Sequence, residues 1–377
     1  MFVLFWISLS IILYTYFFYP VILLFISDFI KRGVEKDEAL EPTVTLLIPA
    51  YNEEAYIGEK IENSLNLDYP PERLRIVIAN DGSVDRTVEI AKQFEGRVEV
   101  IGFEENRGKA RLINHVMERV ESEIVVFSDA SCFLDRHALR IMMRNFKDER
   151  VGCVCGLYRL KDAREAVHPQ NEGLYWKYET FIKRKESDIC SILGAHGAIY
   201  GIRRALFVPL GEGVINDDYF IPMQIVAAGH RAIYDERVVA YEQHLASEEG
   251  EFSRRVRITV GNFQQIVAFF RLLHPKRGLL AFEFFSHKLL RPLIPFFLIM
   301  LLIANCFIEG TFYRIFVYLQ VVFYLLAGAG YILQKQGLSN PVFSLPFYFT
   351  MTNLAGLVGM VKFLQGHRAP SLWKKPI

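Results

Sequence analysis

From residue 1 to residue 27 the chain carries no charged side chain. Three more uncharged stretches lie near the other end: between Arg291 and Glu309, between Arg314 and Lys335, and between Lys335 and Lys362. A bilayer core takes about 17–25 apolar residues per helical crossing, so each run is long enough to be read as a span. Between them lies a charged block, about 42–270, in which β-rich and helix-periodic segments alternate. The chemistry of such a chain is held at a membrane surface, with the lipid bilayer as one partner. Net charge is formally +1, so bulk charge gives no reason to expect nucleic acid.

The first run has no basic start and no small-residue cleavage pattern, which favours a retained N-terminal transmembrane helix, 1–27, over a signal peptide. Lys31, Arg32 and Lys36 follow it directly. The positive-inside rule then puts the N-terminus outside and the charged block in the cytosol, as an integral protein of the cell membrane. The cysteines, Cys132, Cys153, Cys155, Cys190 and Cys306, are odd in number and lack a second close pair to complete a zinc site. Reduced thiols of a cytosolic compartment are expected, with Cys153 and Cys155 on one face of a strand.

Within the block, 43–49 reads as a strand. The segment 55–67 reads as a helix with Ile57, Ile61, Ser64 and Leu65 on one side. Strands at 74–79, 98–102 and 123–128 alternate with helices at 84–94 and 109–120. That order predicts an α/β fold with a mostly parallel sheet covered by helices. Ligands of such sheets bind beyond the carboxyl ends of the strands, and the polar clusters fall there. A strand at 151–160, a helix at 169–185, a Gly-rich turn and strand at 194–203 and an acidic turn at 216–218 follow. The segment 248–273 reads as a helix carrying Arg254, Arg255 and Arg257. The segment 276–290 mixes Phe and Leu with Glu283, His287 and Lys288, which suits a helix lying along the membrane interface. About three transmembrane helices, 291–363, and a basic tail, 364–377, complete the chain. Four full crossings place that tail outside, whereas Lys362, Arg368, Lys374 and Lys375 favour the cytoplasm. Pro341, Pro346, Thr350, Thr352 and Asn353 fit a re-entrant or broken last segment.

Five motifs carry candidate chemistry. Pro49-Ala50-Tyr51-Asn52-Glu53-Glu54 ends the first strand, with Pro49 stopping the ladder and an aromatic face and an acid available to a nucleobase; an ordinary turn and helix cap is the plain alternative. Asn80-Asp81-Gly82-Ser83 follows the second strand. Gly82 permits a tight turn, Ser83 or Asp85 can cap the next helix, and Asp81 can accept hydrogen bonds from a base or ribose. Asn106-Arg107-Gly108-Lys109 opens a helix whose N-terminus favours phosphate, although the spacing is not that of a P-loop. Ser128-Asp129-Ala130-Ser131 ends a buried strand; a carboxylate with a second oxygen two residues on can hold a hard divalent ion, completed by substrate phosphates. Asn216-Asp217-Asp218 sets adjacent acids at a helix start, where one can cap and the other can face a cavity as a general base.

The order of these motifs resembles the family 2 glycosyltransferases, inverting enzymes with a GT-A fold, over about 42–273, and the flanking apolar runs resemble that family's membrane-bound, polysaccharide-making branch. The resemblance implies that Ala50, Tyr51, Glu53 and Asp81 line the nucleobase and ribose pocket, that Lys109 approaches the nucleotide, and that Asp129 holds Mg²⁺ or Mn²⁺. Ser131 stands where the family's Asp-x-Asp motif has its second acid. Gly194 to Arg204, with His196 and Gly197, matches the acceptor-side loop. Asp218 matches the catalytic base, with Asp217 before it. Processive members carry Gln-x-x-Arg-Trp; the counterpart here is Arg257, with Arg254 a turn before and Ile258 in place of Trp. The implied activity is inverting transfer of a sugar, from a UDP-sugar in first place, to a polysaccharide or a lipid-linked acceptor of the cell envelope. Two other classes are weighed against it: a non-catalytic nucleotide-sugar-binding membrane subunit and a transporter, for which the spans hold few ionisable residues. A homo-oligomer or a synthase complex is compatible with such a membrane-bound chain.

Overall fold

The computed structural model describes residues 1–160, 169–242, 248–336, 338 and 340–366. Arg368, Lys374 and Lys375 of the basic tail lie outside these.

The first apolar run is one helix, α1 (Phe2–Phe29). Its turn widens at Tyr14–Phe18, because Pro20 has no N–H to give to the carbonyl four residues back. Residues 30–43 form no regular structure but are tied to the block behind them. The Arg231 guanidinium donates to the carbonyls of Arg32 and Gly33, each at 3.2 Å. Lys36 donates to Asp235 at 3.3 Å. Lys36 is thus a docking residue as well as part of the basic flank.

The alternating block follows as β1 (Val44–Ala50), α2 (Ile57–Leu65), β2 (Leu74–Asp81), α3 (Thr87–Lys92), β3 (Glu99–Phe103), α4 (Lys109–Met117) and β4 (Ile124–Phe127). β2 pairs in parallel with β1 and β3, and β4 in parallel with β1. The second half adds β5 (Cys132–Leu134), α5 (Ala138–Met143), β6 (Val151–Leu160), α6 (Pro169–Ile189), β7 (Tyr200–Arg203), α7 (Asp217–Ala227), β8 (Arg231–Glu242) and α8 (Glu248–Ala268). The eight strands form one sheet, ordered β3-β2-β1-β4-β7-β6-β8-β5. β7 runs antiparallel between β4 and β6, and β5 is antiparallel to β8.

Both faces of the sheet are covered. Leu47, Val125 and Phe127 enter one apolar core, while Val44, Leu46, Ile48, Ile124 and Val126 enter the other. That alternation is the two-residue period of a doubly buried strand. Cys153 and Cys155 share the first core, and all five thiols are free. Pro49 does not stop the ladder as expected: it stays in β1, opposite Ala79. β4 pairs with β1 only as far as Leu47, so the missing N–H falls where one edge of β1 is already unpaired. The chain progresses outward in opposite directions from β1, through β2 on one side and β4 on the other. A crevice therefore opens at their carboxyl ends.

The C-terminal part is α9 (Leu279–Cys306), α10 (Thr311–Lys335) and α11 (Pro341–Leu364); with α1, these four helices are long and apolar enough to cross a membrane. The segment read as interfacial, 276–290, is not a separate helix. From Leu279 it runs straight into α9 through a widened turn at Phe284–Leu289, where Pro292 offers no N–H to the carbonyl four residues back. Nor is the last segment broken. Pro341 occupies the first helical position, where an N–H is not needed, and the helix continues through Pro346 to Leu364. α11 lies along α8: the Phe263 and Phe363 rings stack at 5.6 Å, and Arg255 bonds the Tyr348 hydroxyl and lies 4.7 Å over its ring.

Candidate active site

The strand ends deliver their polar turns into one cleft of about 530 Å³, within the range of small-ligand sites. It is lined by the residues to which the family resemblance gives a role: Ala50, Tyr51, Glu53, Asp81, Lys109, Asp129, Ser131, His196, Gly197, Asp217, Asp218, Arg254 and Arg257.

The 51–54 and 83–87 turns are laced together. Asn52, at φ 54°, donates its N–H to Ser83 Oγ at 3.0 Å and accepts from Val84 N–H through its side chain at 3.0 Å. Glu53 N–H donates to Thr87 Oγ1 at 2.7 Å, and Glu54 N–H to Asp85 at 3.1 Å. Gly82 is at φ 71°, and a Cβ there would lie 2.3 Å from the Glu105 backbone, so only glycine fits this turn. Asp81 has more structural work than its position alone suggests. Its two oxygens accept the N–H groups of Arg107 and Gly108, each at 2.9 Å. It thereby fixes the turn that aims Lys109. Burial raises the Asp81 pKa, and those two N–H groups partly offset the rise.

Lys109 is the centre of the site. Its ammonium lies 3.0 Å from Asp129 Oδ1 and 3.3 Å from Asp217 Oδ2. Burial works against its charge, but Asp129, Asp217 and Asp218 together push its pKa up. Burial likewise opposes the Asp129 charge, and Lys109, then Lys60 and Arg257, more than reverse that, so its carboxyl sits below the usual range. Asp129 Oδ2 faces Gly197, where a Cβ would lie 2.5 Å away, and Asp129 N–H donates to the Gly197 carbonyl at 3.0 Å. The 194–198 loop therefore lies directly on the 128–132 turn.

Asp217 and Asp218 open α7, where the helix dipole favours acids. Asp218 is pushed up to about 7, first by burial and then by the neighbouring Asp217. His196 is driven well below its ordinary value by burial and by Lys183, so its imidazole is neutral. Arg254 pairs with Glu251 at 2.8 Å. Arg257, one turn on, lines the cleft with Ile258.

Sequence reasoning missed β5, α5 and β8, and with β8 a further acid. Glu242 lines the cleft, bonds the Tyr158 hydroxyl and lies 3.4 Å from Ser131 Oγ. The β-rich run Val238-Val239-Ala240-Tyr241 before it is the signal that points to another strand-end acid.

Residues 45–210, most of the charged block, match the family described as glycosyl transferase family 2. The poly-beta-1,6-N-acetyl-D-glucosamine synthase of Staphylococcus aureus (strain COL) is 27% identical over 245 residues, 62% of this chain and 58% of that protein. The probable glycosyltransferase YdaM of Bacillus subtilis (strain 168) is 24% identical over 270 residues, 65% of this chain and 61% of that protein. The match thus spans less than two thirds of either relative. The mannosyltransferase PcManGT from Pyrobaculum calidifontis, solved in complex with GDP-Man and Mn²⁺, aligns over 97% of this chain and 100% of its own at a TM-score of 0.72 and 22% identity. The fold is therefore GT-A.

Proposed function

We propose that this protein is a membrane-bound inverting glycosyltransferase that moves a sugar from a nucleotide-sugar donor, a UDP-sugar in first place, to a polysaccharide or glycolipid acceptor. One observation carries the reading: Asp81, Asp129, Asp217 and Asp218 line a single cleft with Lys109, Arg254 and Arg257, anionic enough for base chemistry and cationic enough for a diphosphate. The match to glycosyl transferase family 2 over 45–210 supports the reaction class.

Asp218 accepts the proton of an acceptor hydroxyl. The freed oxygen attacks the anomeric carbon as the bond to the diphosphate oxygen breaks, and the configuration inverts without a covalent sugar–enzyme intermediate. A carboxyl titrating at about 7 is suited to taking that proton at neutral pH. Ala50, Tyr51, Glu53 and Asp81 receive the base and ribose. Lys109 and Arg257 meet the charge that gathers on the departing diphosphate; Arg254 is held by Glu251 beside them.

The residues fit a hard divalent ion. The Asp129 side chain remains 43% exposed, and Ser131 follows two residues on. Among the described residues no three acid, His or Cys side chains gather for a metal, so an ion held by Asp129 would need further oxygens from substrate phosphates and water, as Mg²⁺ sites commonly do. Bound there, Mg²⁺ or Mn²⁺ would supply positive charge to the leaving diphosphate.

A second reading, single addition to a lipid-linked sugar or polyprenyl phosphate, is favoured by Ile258. It lines the cleft beside Arg257, where processive relatives place Trp. A donor screen on the detergent-solubilised protein, reading nucleoside diphosphate release with and without Mn²⁺, tests the reaction class. Release from none of the UDP-, GDP- and dTDP-sugars returns the chain to the non-catalytic class. Product size then separates extension, a ladder, from single addition, one shift.

A further inference from the structure

Lys60 is the side chain on α2 that the sequence pattern explains least. It shares the buried face of that helix with Ile57, Ile61 and Ser64 and is 0% exposed. Taking an ammonium out of water is expensive, and an apolar residue of similar volume is often as stable or more so at such a site. Fold stability alone therefore does not call for lysine here. Its partners are neutral and functional in position: Nζ donates to Ser128 Oγ at 2.7 Å and to the Cys132 carbonyl. These are the two ends of the turn that carries Asp129. The relay continues, since Ser128 Oγ donates to the Ala198 carbonyl at 2.7 Å. Asp129 N–H reaches Gly197 O at 3.0 Å in parallel with it.

We propose that Lys60 is a positioning residue for donor binding: its ammonium pins both ends of the 128–132 turn and, through Ser128, the 197–198 loop, so that the Asp129 carboxylate is held where it would, with a divalent ion bound, meet the donor diphosphate. The inference rests on the glycosyltransferase reading above. It assigns Lys60 no contact with substrate. The tolerance is narrow, because a Cβ on residue 197 would lie 2.5 Å from Asp129 Oδ2.

The test is Lys60→Met in the full chain in nanodiscs, which keeps the length of the stem and removes the donor. Three quantities are read: the thermal midpoint, the donor KM against kcat, and the calorimetric Kd for UDP with Mn²⁺ (or for the nucleoside diphosphate that the wild type releases). The expected result is an unchanged or raised midpoint, with KM and Kd weakened about 10–100-fold, the range for residues that orient a metal ligand, and kcat within a few-fold. A lowered midpoint with wild-type KM and Kd means a merely structural lysine and overturns the proposal. Should Lys60→Met fail to fold, Ser128→Ala decides: it removes the middle of the relay and is expected to weaken KM and Kd in the same direction. Wild-type KM and Kd in Ser128→Ala overturn the proposal. A wild type that neither binds nor releases diphosphate sinks the underlying reading instead, so the two failures are distinct.

Discussion

Two buried acid clusters in this molecule carry opposite messages. Asp235, at the β6/β8 end of the sheet, is 6% exposed and surrounded by donors: Arg144 at 3.1 Å, Arg237 at 3.1 Å, Lys36 at 3.3 Å and Asn145 at 3.1 Å. Burial opposes its charge, but these partners outweigh burial and hold its carboxyl below the usual range. Asp217, 5% exposed, shares one ammonium, Lys109, with Asp129, and Asp218 beside it is raised to about 7. In the first cluster Arg144, Arg237 and Lys36 all pair with the one Asp235 carboxylate. The second shares the Lys109 ammonium between Asp129 and Asp217, leaves Asp218 raised, and borders the cleft. Saturated charge fastens the 30–43 segment to the domain; a raised carboxyl in a cleft is the pattern of a functional site.

The sharpest way to break that contrast is to neutralise one acid of the cleft. Asp218→Asn is expected to lower transfer about 10²–10⁴-fold, the contribution of a positioned general base, while diphosphate binding persists and the thermal midpoint does not fall. Transfer at the wild-type rate in a radiolabelled-sugar assay removes Asp218 as the base. The matching change in the other cluster, Arg144→Met, is expected to do the reverse. Removing one partner of a buried pair costs about 3 kcal/mol, read as a thermal midpoint lowered by several degrees, with donor KM unmoved. A KM change there would mean that the two clusters are not independent. Next in size is Gly197→Ala. The added methyl meets Asp129 Oδ2 and is expected to weaken donor binding about 30-fold, by analogy with other changes beside a metal ligand, with little effect on the midpoint.

The contrast also explains what could be read from the sequence. Asp81 and Asp129 were legible because parallel strands deliver their ends to one side, and Asp217 and Asp218 because acids at a helix start are visible in one dimension. The charge balance was not legible. That Lys109 serves both Asp129 and Asp217 depends on residues 20 and 108 positions away meeting in space. Lys60 was invisible for a different reason: lysine on an amphipathic helix reads as solvated, and only the Ser128 and Cys132 acceptors make it an interior residue. The start of α9 misled in the same way. Glu283, His287 and Lys288 read as an interfacial polar face, yet His287 bonds Glu186 of α6 at 2.7 Å, and the Tyr19 hydroxyl of α1 bonds the same carboxylate at 2.7 Å. Partners that far apart in the chain leave no local signature.

Per pH unit the pH dependence is the smallest expected effect, and its two signs test whether the cleft cluster belongs to function rather than to the fold. In the proposed role of base, Asp218 would work only when ionised. Transfer by the wild type should therefore rise about tenfold per unit below its pKa of about 7 and level off above it. Stability should run the other way. The folded state holds the Asp218 proton more tightly than the unfolded chain does, so its contribution is complete below the ordinary aspartate value of about 4 and is lost as pH climbs through about 7. Asp218→Asn cannot ionise, and its thermal midpoint relative to the wild type should grow between about pH 5 and about pH 8. Arg144→Met, whose acid neighbour is already held ionised across that range, should show no such divergence from the wild type. Parallel midpoint curves for Asp218→Asn and the wild type would mean that the carboxyl is not raised, and with it the distinction between the two clusters would fail.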